Sequence, residues 1–180
     1  MTKKYELVLD DTISFWGWKL FRIRALISFG SVEVGDLGGY IEKEENLSHD
    51  GNAWVSGNAK VSGDAKVSGN AKVSGDAKVS GNAKVSGNAE VSGNAKVSGD
   101  AEVWGNAEVS GNAKVSGDAE VWGNAEVSGN AEVWGNAEVS ELGDIIVFKN
   151  HWSSGRHFTY TKSNKMWKVG CFYGTGQELI

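Results

Sequence analysis

The chain of 180 residues has no proline, one cysteine, three histidines and no apolar run near the roughly 18 residues that a membrane-crossing helix needs. Each shortage excludes something. Without proline and without a Gly-X-Y period, its 25 glycines do not belong to a collagen-like rod. A lone Cys171 excludes a disulfide scaffold and a multi-cysteine zinc site. Met1-Thr2-Lys3-Lys4-Tyr5-Glu6 passes straight into alternating sequence, without the apolar core and small-residue cleavage site of a secretory signal. The expectation is a soluble, cytoplasmic protein with no membrane segment. A net charge of −5 argues against a general nucleic-acid binder. The Gly35/Gly38/Gly39 run lacks a following Gly-Lys-Ser/Thr and is not a phosphate loop, so no cofactor is expected.

What is present is a period of six. From Val55 to Val139 a valine falls at every sixth residue, 15 in all, each preceded two residues earlier by alanine. Between them stands Lys, Glu or, once, Trp54; after valine come Ser or Trp, then Gly, then Asn or Asp, until the last step breaks at Glu141. A disordered low-complexity tract need not keep so fixed an alternation. Apolar–charged–apolar is a short strand with one buried face, and Ser-Gly-Asn/Asp is turn chemistry. One such strand cannot bury its face alone, so successive units must coil and stack.

The unit of an aliphatic residue, two turn residues, Asn or Asp, a small residue and an outward residue resembles the hexapeptide-repeat, left-handed parallel β-helix family. That resemblance implies an all-β fold with three units per coil, 18 residues per turn and left-handed winding. Fifteen units then make five coils, about 24 Å tall at about 4.8 Å per coil. Phe29-Gly30, Gly35-Asp36-Leu37-Gly38-Gly39-Tyr40-Ile41-Glu42, Asn46-Leu47-Ser48 and Gly51-Asn52-Ala53-Trp54-Val55 look like the helix entry of YdcK-like hexapeptide proteins of bacteria and phages, over about residues 5–140. Some proteins of that kind carry an acyltransferase label, which is fold analogy.

Three regions follow: an N-terminal β cap (1–50), the β-helix (51–140) and a C-terminal antiparallel β meander (141–180). Open ends of a stack invite aggregation, so caps are expected. In the first region Tyr5–Leu9, Ile13–Trp16 and Leu20–Ile27 read as strands; in the last, Ile145–Phe148, His157–Thr161 and Met166–Tyr173.

Chemistry is sparse. The acyltransferase reading requires a histidine in the coils or on a loop leaving them, yet His49, His151 and His157 all lie outside them. His49 reads as a surface corner residue, and His151 and His157 as solvated turn residues beside Arg156. Cys171 reads as a buried small residue in a strand, with no local base to activate it. Asp100 and Asp118, 18 apart, should be neighbours in one corner column; corner capping is a plainer use for them than a calcium ion.

The 18-residue turn sorts outward residues into columns: Trp54, Lys72, Glu90, Glu108, Glu126; Lys60, Lys78, Lys96, Lys114, Glu132; and Lys66, Lys84, Glu102, Glu120, Glu138. Residues 51–97 carry six lysines against three acidic residues, net +3; residues 98–140 carry one lysine against eight, net −7. This gradient serves solubility, lets a lysine face meet a neighbour's glutamates in a trimer, or offers the acidic half to a basic partner. Trp104, Trp122 and Trp134 replace Ser near the acidic end, as a floor for the meander or as an exposed binding patch. The reading is a non-enzymatic structural or protein-interaction module, a homo-oligomer or, by resemblance, a phage accessory protein that binds or inhibits a host protein. Candidate contact residues are Trp104, Trp122, Trp134, Glu108, Glu120 and Glu126; the alternative is an acyl-CoA-dependent acyltransferase.

Overall fold

The computed structural model describes residues 3–15, 17–149 and 155–179. Fifteen two-residue strands, β4 (Trp54–Val55) through β18 (Glu138–Val139), follow one another in steps of six. Each pairs in parallel with the strand 18 residues on, so Lys60 lies beside Lys78, Glu90 beside Glu108 and Glu102 beside Glu120. Three parallel sheets result, one per face of a β-solenoid. The first face carries the Trp54 column, the second the Lys60 column and the third the Lys66 column.

Alanine and valine line the interior. From Ala53 to Val139 every one is at most 1% exposed. Small and branched side chains fill a narrow bore that larger ones would burst. Each corner turns on a glycine in the left-handed region, such as Gly99 at φ 73°. A Cβ there would meet the backbone N and O of Gly117 at 3.0 Å, so glycine is needed for both its conformation and its close approach.

The coils begin earlier than the repeat. Tyr40 and Ile41 of β3 (Leu37–Ile41) pair in parallel with Lys60 and Val61, and Leu47 bridges Val67. With this entry the solenoid has about six turns rather than five. Above β3 an antiparallel hairpin, β1 (Tyr5–Phe15) and β2 (Trp18–Ala25), extends the second face. The two strands expected before Gly17 form one continuous strand with an irregularity between Val8 and Thr12; Trp16 lies outside the described residues.

At the other end β19 (Ile145–Lys149), β20 (His157–Thr161), β21 (Met166–Val169) and β22 (Phe172–Thr175) form an antiparallel sheet, followed by a single turn of helix, α1 (Gly176–Leu179). The strand expected over Met166–Tyr173 is two strands. Gly170, at φ 59°, turns the chain, which puts Cys171 in an exposed turn instead of a buried strand. Among the described residues no helix is long and apolar enough to cross a membrane.

Candidate interaction surfaces

The bonds that leave the strands have a direction. The amides of the outward residue, of the Ser or Trp after valine and of most corner Asn or Asp donate to carbonyls of the next coil, as in Lys60 to Ala77, Ser62 to Val79 and Asn58 to Gly75. The upper end therefore offers carbonyls with no coil above, and the lower end offers amides with no coil below. Buried, such groups need partners.

The upper carbonyls receive donors. Lys4 Nζ donates to Gly51 and Ala53, and Asn46 Nδ2 to Gly63 and Ala65. The amides of Tyr40, Glu42 and Ser48 cover Ala59, Val61 and Val67. Asn46 Oδ1 also accepts from the amides of Glu42 and Lys43, and the single hydrogen of the Tyr5 hydroxyl is shared between the carbonyl oxygens of Glu44 and Leu47, 2.8 and 2.7 Å away. Trp54 packs edge-on to Tyr5 and Phe29 and is 8% exposed. Burial lowers Lys4 from 10.5 to about 8, against the opposing pull of Asp50. Burial, with Glu44 and Glu45 nearby, raises the Tyr5 phenol. His49 belongs to this cap and is not a solvated corner. Its ring stacks on Tyr5 at 4.3 Å and its Nδ1 accepts the Lys4 amide, because the entry turn folds back onto β1.

The lower amides meet acceptors: Thr159 Oγ1 for Glu132, Ser163 Oγ for Glu138, and Asp144 Oδ2 for Ser140 and Glu141. The Ser140 amide first, then the Ser140 hydroxyl and the Glu141 amide, hold the Asp144 carboxyl below its usual range. On the first face the amides of Glu126 and Ser128 have no acceptor among the described residues.

Side-chain ladders run up the outside. Asn52, Asn70, Asn88, Asn106 and Asn124 form one unbroken amide ladder. Another runs through Asn94, Asn112 and Asn130 to His157, which thus continues a column where a freely solvated turn residue was expected. Asp100 accepts from Asn82 at 2.8 Å, a side-chain bond along the column that accounts for one carboxylate without an ion. Among the described residues no group of three or more His, Cys, Asp or Glu is placed to hold a metal. His151 and Trp152 lie outside the described residues.

The charged columns stand as sorted from the sequence. Lys72 pairs with Glu90, Lys84 with Glu102 and Lys114 with Glu132, at 3.1, 2.6 and 2.7 Å. Among the described residues Glu108, Glu120, Glu126 and Glu138 have no ion-pair partner. The three candidate tryptophans separate. Trp134 lies under Lys168, whose Nζ is 4.3 Å from its ring centre, and Tyr173 donates to its carbonyl. Trp104 and Trp122 stack on each other on the edge of the third face, 5.2 Å apart and 7° from parallel. Trp104 is 38% exposed. Above it an open groove of about 430 Å³ is lined by Lys66, Ser68, Lys84, Ser86, Glu102 and Trp104.

One surface was missed. The tip of the β1–β2 hairpin hangs over the second face, with Phe15 5.0 Å from Lys78 Nζ and 5.8 Å from Lys60 Nζ. With Trp18 it walls a groove of about 390 Å³ reaching Ser98. The four-lysine column was visible in the sequence, and so was the need for something to compensate it. That an aromatic ring of the cap does part of this was not.

Residues 53–146 match the family described as Bactofilin, polymer-forming cytoskeletal. No curated protein matches the chain. The family match corrects the resemblance to the hexapeptide-repeat, YdcK-like family, since bactofilins are a different β-helix family. The physical reason for the confusion is general. Small and branched interior residues with a glycine corner suit any narrow parallel solenoid, so the repeat alone does not separate families.

Proposed function

Because the chain belongs to the bactofilin family, we propose that it is a non-enzymatic structural protein whose β-helical rod assembles with further copies of itself. The observation that carries this reading is the uninterrupted fifteen-unit stack, which coincides with the segment matched to a polymer-forming family. A rigid rod with ladders on every face presents the same chemistry at regular intervals, which favours repeated contacts between identical molecules. The amides of Glu126 and Ser128, which meet no acceptor among the described residues, add an edge able to accept another strand.

The acyltransferase alternative gains no support, since His49 and His157 are built into the caps. The phage accessory role and the trimer were implied by a resemblance that the family match replaces. A basic protein partner at the acidic half remains a secondary use of the same faces.

Sedimentation and negative-stain microscopy over a concentration series test the proposal. Species larger than one chain, growing with concentration, are expected. A monomer at every concentration overturns it, as does release of free CoA on incubation with acetyl-CoA.

A further inference from the structure

We infer that the third face is a self-complementary contact surface, through which two copies pair side by side with their axes antiparallel. The inference rests on the self-association proposed above and specifies its geometry.

The argument starts from the levels of the stack. On the third face the five levels read Lys66, Lys84, Glu102, Glu120, Glu138 from top to bottom. A twofold axis lying along the strand direction at the middle level sets level one against level five and level two against level four. Lys66 then faces Glu138 of the second copy, and Lys84 faces Glu120, each contact occurring twice. The pitch matches without adjustment, because both columns rise by the same coil spacing of about 4.8 Å. Glu102 faces its own copy, with Lys84 of the same chain 2.6 Å from it, so each Lys84 is shared between its own Glu102 and the second copy's Glu120.

The neighbouring corner column fits the same axis. From top to bottom it reads Ser68, Ser86, Trp104, Trp122, Ser140. Antiparallel pairing sets Trp122 of one copy against Ser86 of the other, at the level of the open groove above Trp104. A large ring meets a small residue, and the two Trp104 rings meet at the axis. Both stacked pairs leave water, and aromatic rings at the centre of a contact are where binding energy concentrates.

The other faces lack this symmetry. On the second, the same operation sets Lys78 against Lys114. On the first, it spends its top level on Trp54, which the cap already buries. Only the third face sets glutamates with no ion-pair partner among the described residues against lysines at both outer pairs of levels. A face about 24 Å tall and about 20 Å wide buries roughly 1,000 Å² over both copies, at the small end of specific interfaces. Concentration- and salt-dependent pairing is therefore expected.

The test uses paired charge reversals in the full chain, read by sedimentation. The variant K66E/K84E and the variant E120K/E138K should each associate at least tenfold more weakly than the native chain, by like-charge repulsion across the axis. An equimolar mixture should recover native association, because each reversed face complements the other. For orientation, K66C and E138C chains, each also carrying C171S, should form a disulfide-linked dimer when mixed and none separately. Native-strength association by either reversed variant, failure of the mixture to recover, or crosslinking of K66C with itself overturns the inference while leaving self-assembly standing. A native chain that never associates removes both.

Discussion

The two ends of the stack close in opposite chemical senses. At the upper end the exposed backbone groups include a row of carbonyls, and the N-terminal segment brings donors: an ammonium, a carboxamide N–H and main-chain amides. At the lower end the corresponding row is of amides, and the C-terminal sheet brings acceptors: two hydroxyls and a carboxylate. The closures also differ in depth. Tyr5, Ile23 and Leu47 join the apolar core of the bore, whereas among the described residues of the lower sheet only the partly buried Ile145 packs against that core, and Thr159 and Thr161, at 1% and 3% exposed, meet the rim as polar residues. A cap welded into the bore continues the core, and a cap set against the rim mainly supplies hydrogen bonds. The lesson is that a solenoid's ends are not interchangeable, and the direction of its ladder decides what each must carry.

The sharpest way to break the comparison is to put an acceptor where a donor is required. Asn46→Asp keeps the oxygen that receives the Glu42 and Lys43 amides but removes the N–H groups that serve Gly63 and Ala65. A carboxylate facing two buried carbonyls should cost about 3 kcal/mol or more, measured by chemical denaturation. Lys4→Met removes the other buried donor and should cost about 2 kcal/mol in the same assay, part of the loss being offset by ending the desolvation of a charge.

Alkali probes the same lysine without mutation. Between pH 8 and 10 the unfolded chain still holds the Lys4 proton that the folded chain has released, so stability rises with pH there, by up to about 2 kcal/mol. Above pH 10 the raised Tyr5 phenol acts oppositely, because the folded chain then retains a proton that the unfolded chain loses. A thermal-melt series across pH 7–11 should show this rise and fall, and Lys4→Met should abolish the rise.

The lower end should respond less. Thr159→Val removes the acceptor for the Glu132 amide while keeping shape, with an expected loss of about 1 kcal/mol and nearly none for Thr159→Ser. Below pH 4, protonation of Asp144, whose carboxyl is held low by the Ser140 and Glu141 amides, removes its share of stability. Amide exchange should accordingly quicken at Ser140 and Glu141 before it quickens at the upper end. Equal exchange at both ends would contradict the contrast between a welded and a docked cap.

The rod itself was largely legible in advance. Strict spacing of Val55 to Val139 set the three faces, the coil length and the column of each outward residue, because a side chain's direction in a two-residue strand has only two options. What could not be read was which particular residues meet across regions. Asn46 and Lys4 are unremarkable in sequence, and their roles arise only when residues 4 and 46 meet carbonyls up to 49 positions away. Trp104 and Trp122 were placed in one column from their separation alone, while Trp134's cover by Lys168 depends on how the final sheet docks. Family membership also escaped the repeat, for the reason that its composition answers to packing.

Identical wiring between successive coils makes the rod a ruler. Removing 18 residues from its middle would shorten it by one division and return every later residue to its original face. Removing six would carry the closing sheet around to the adjacent side, facing strands whose amides it was not shaped to meet. Length can change in whole divisions while both terminal fittings keep their seats, so extent and closure are set by separate parts of the chain.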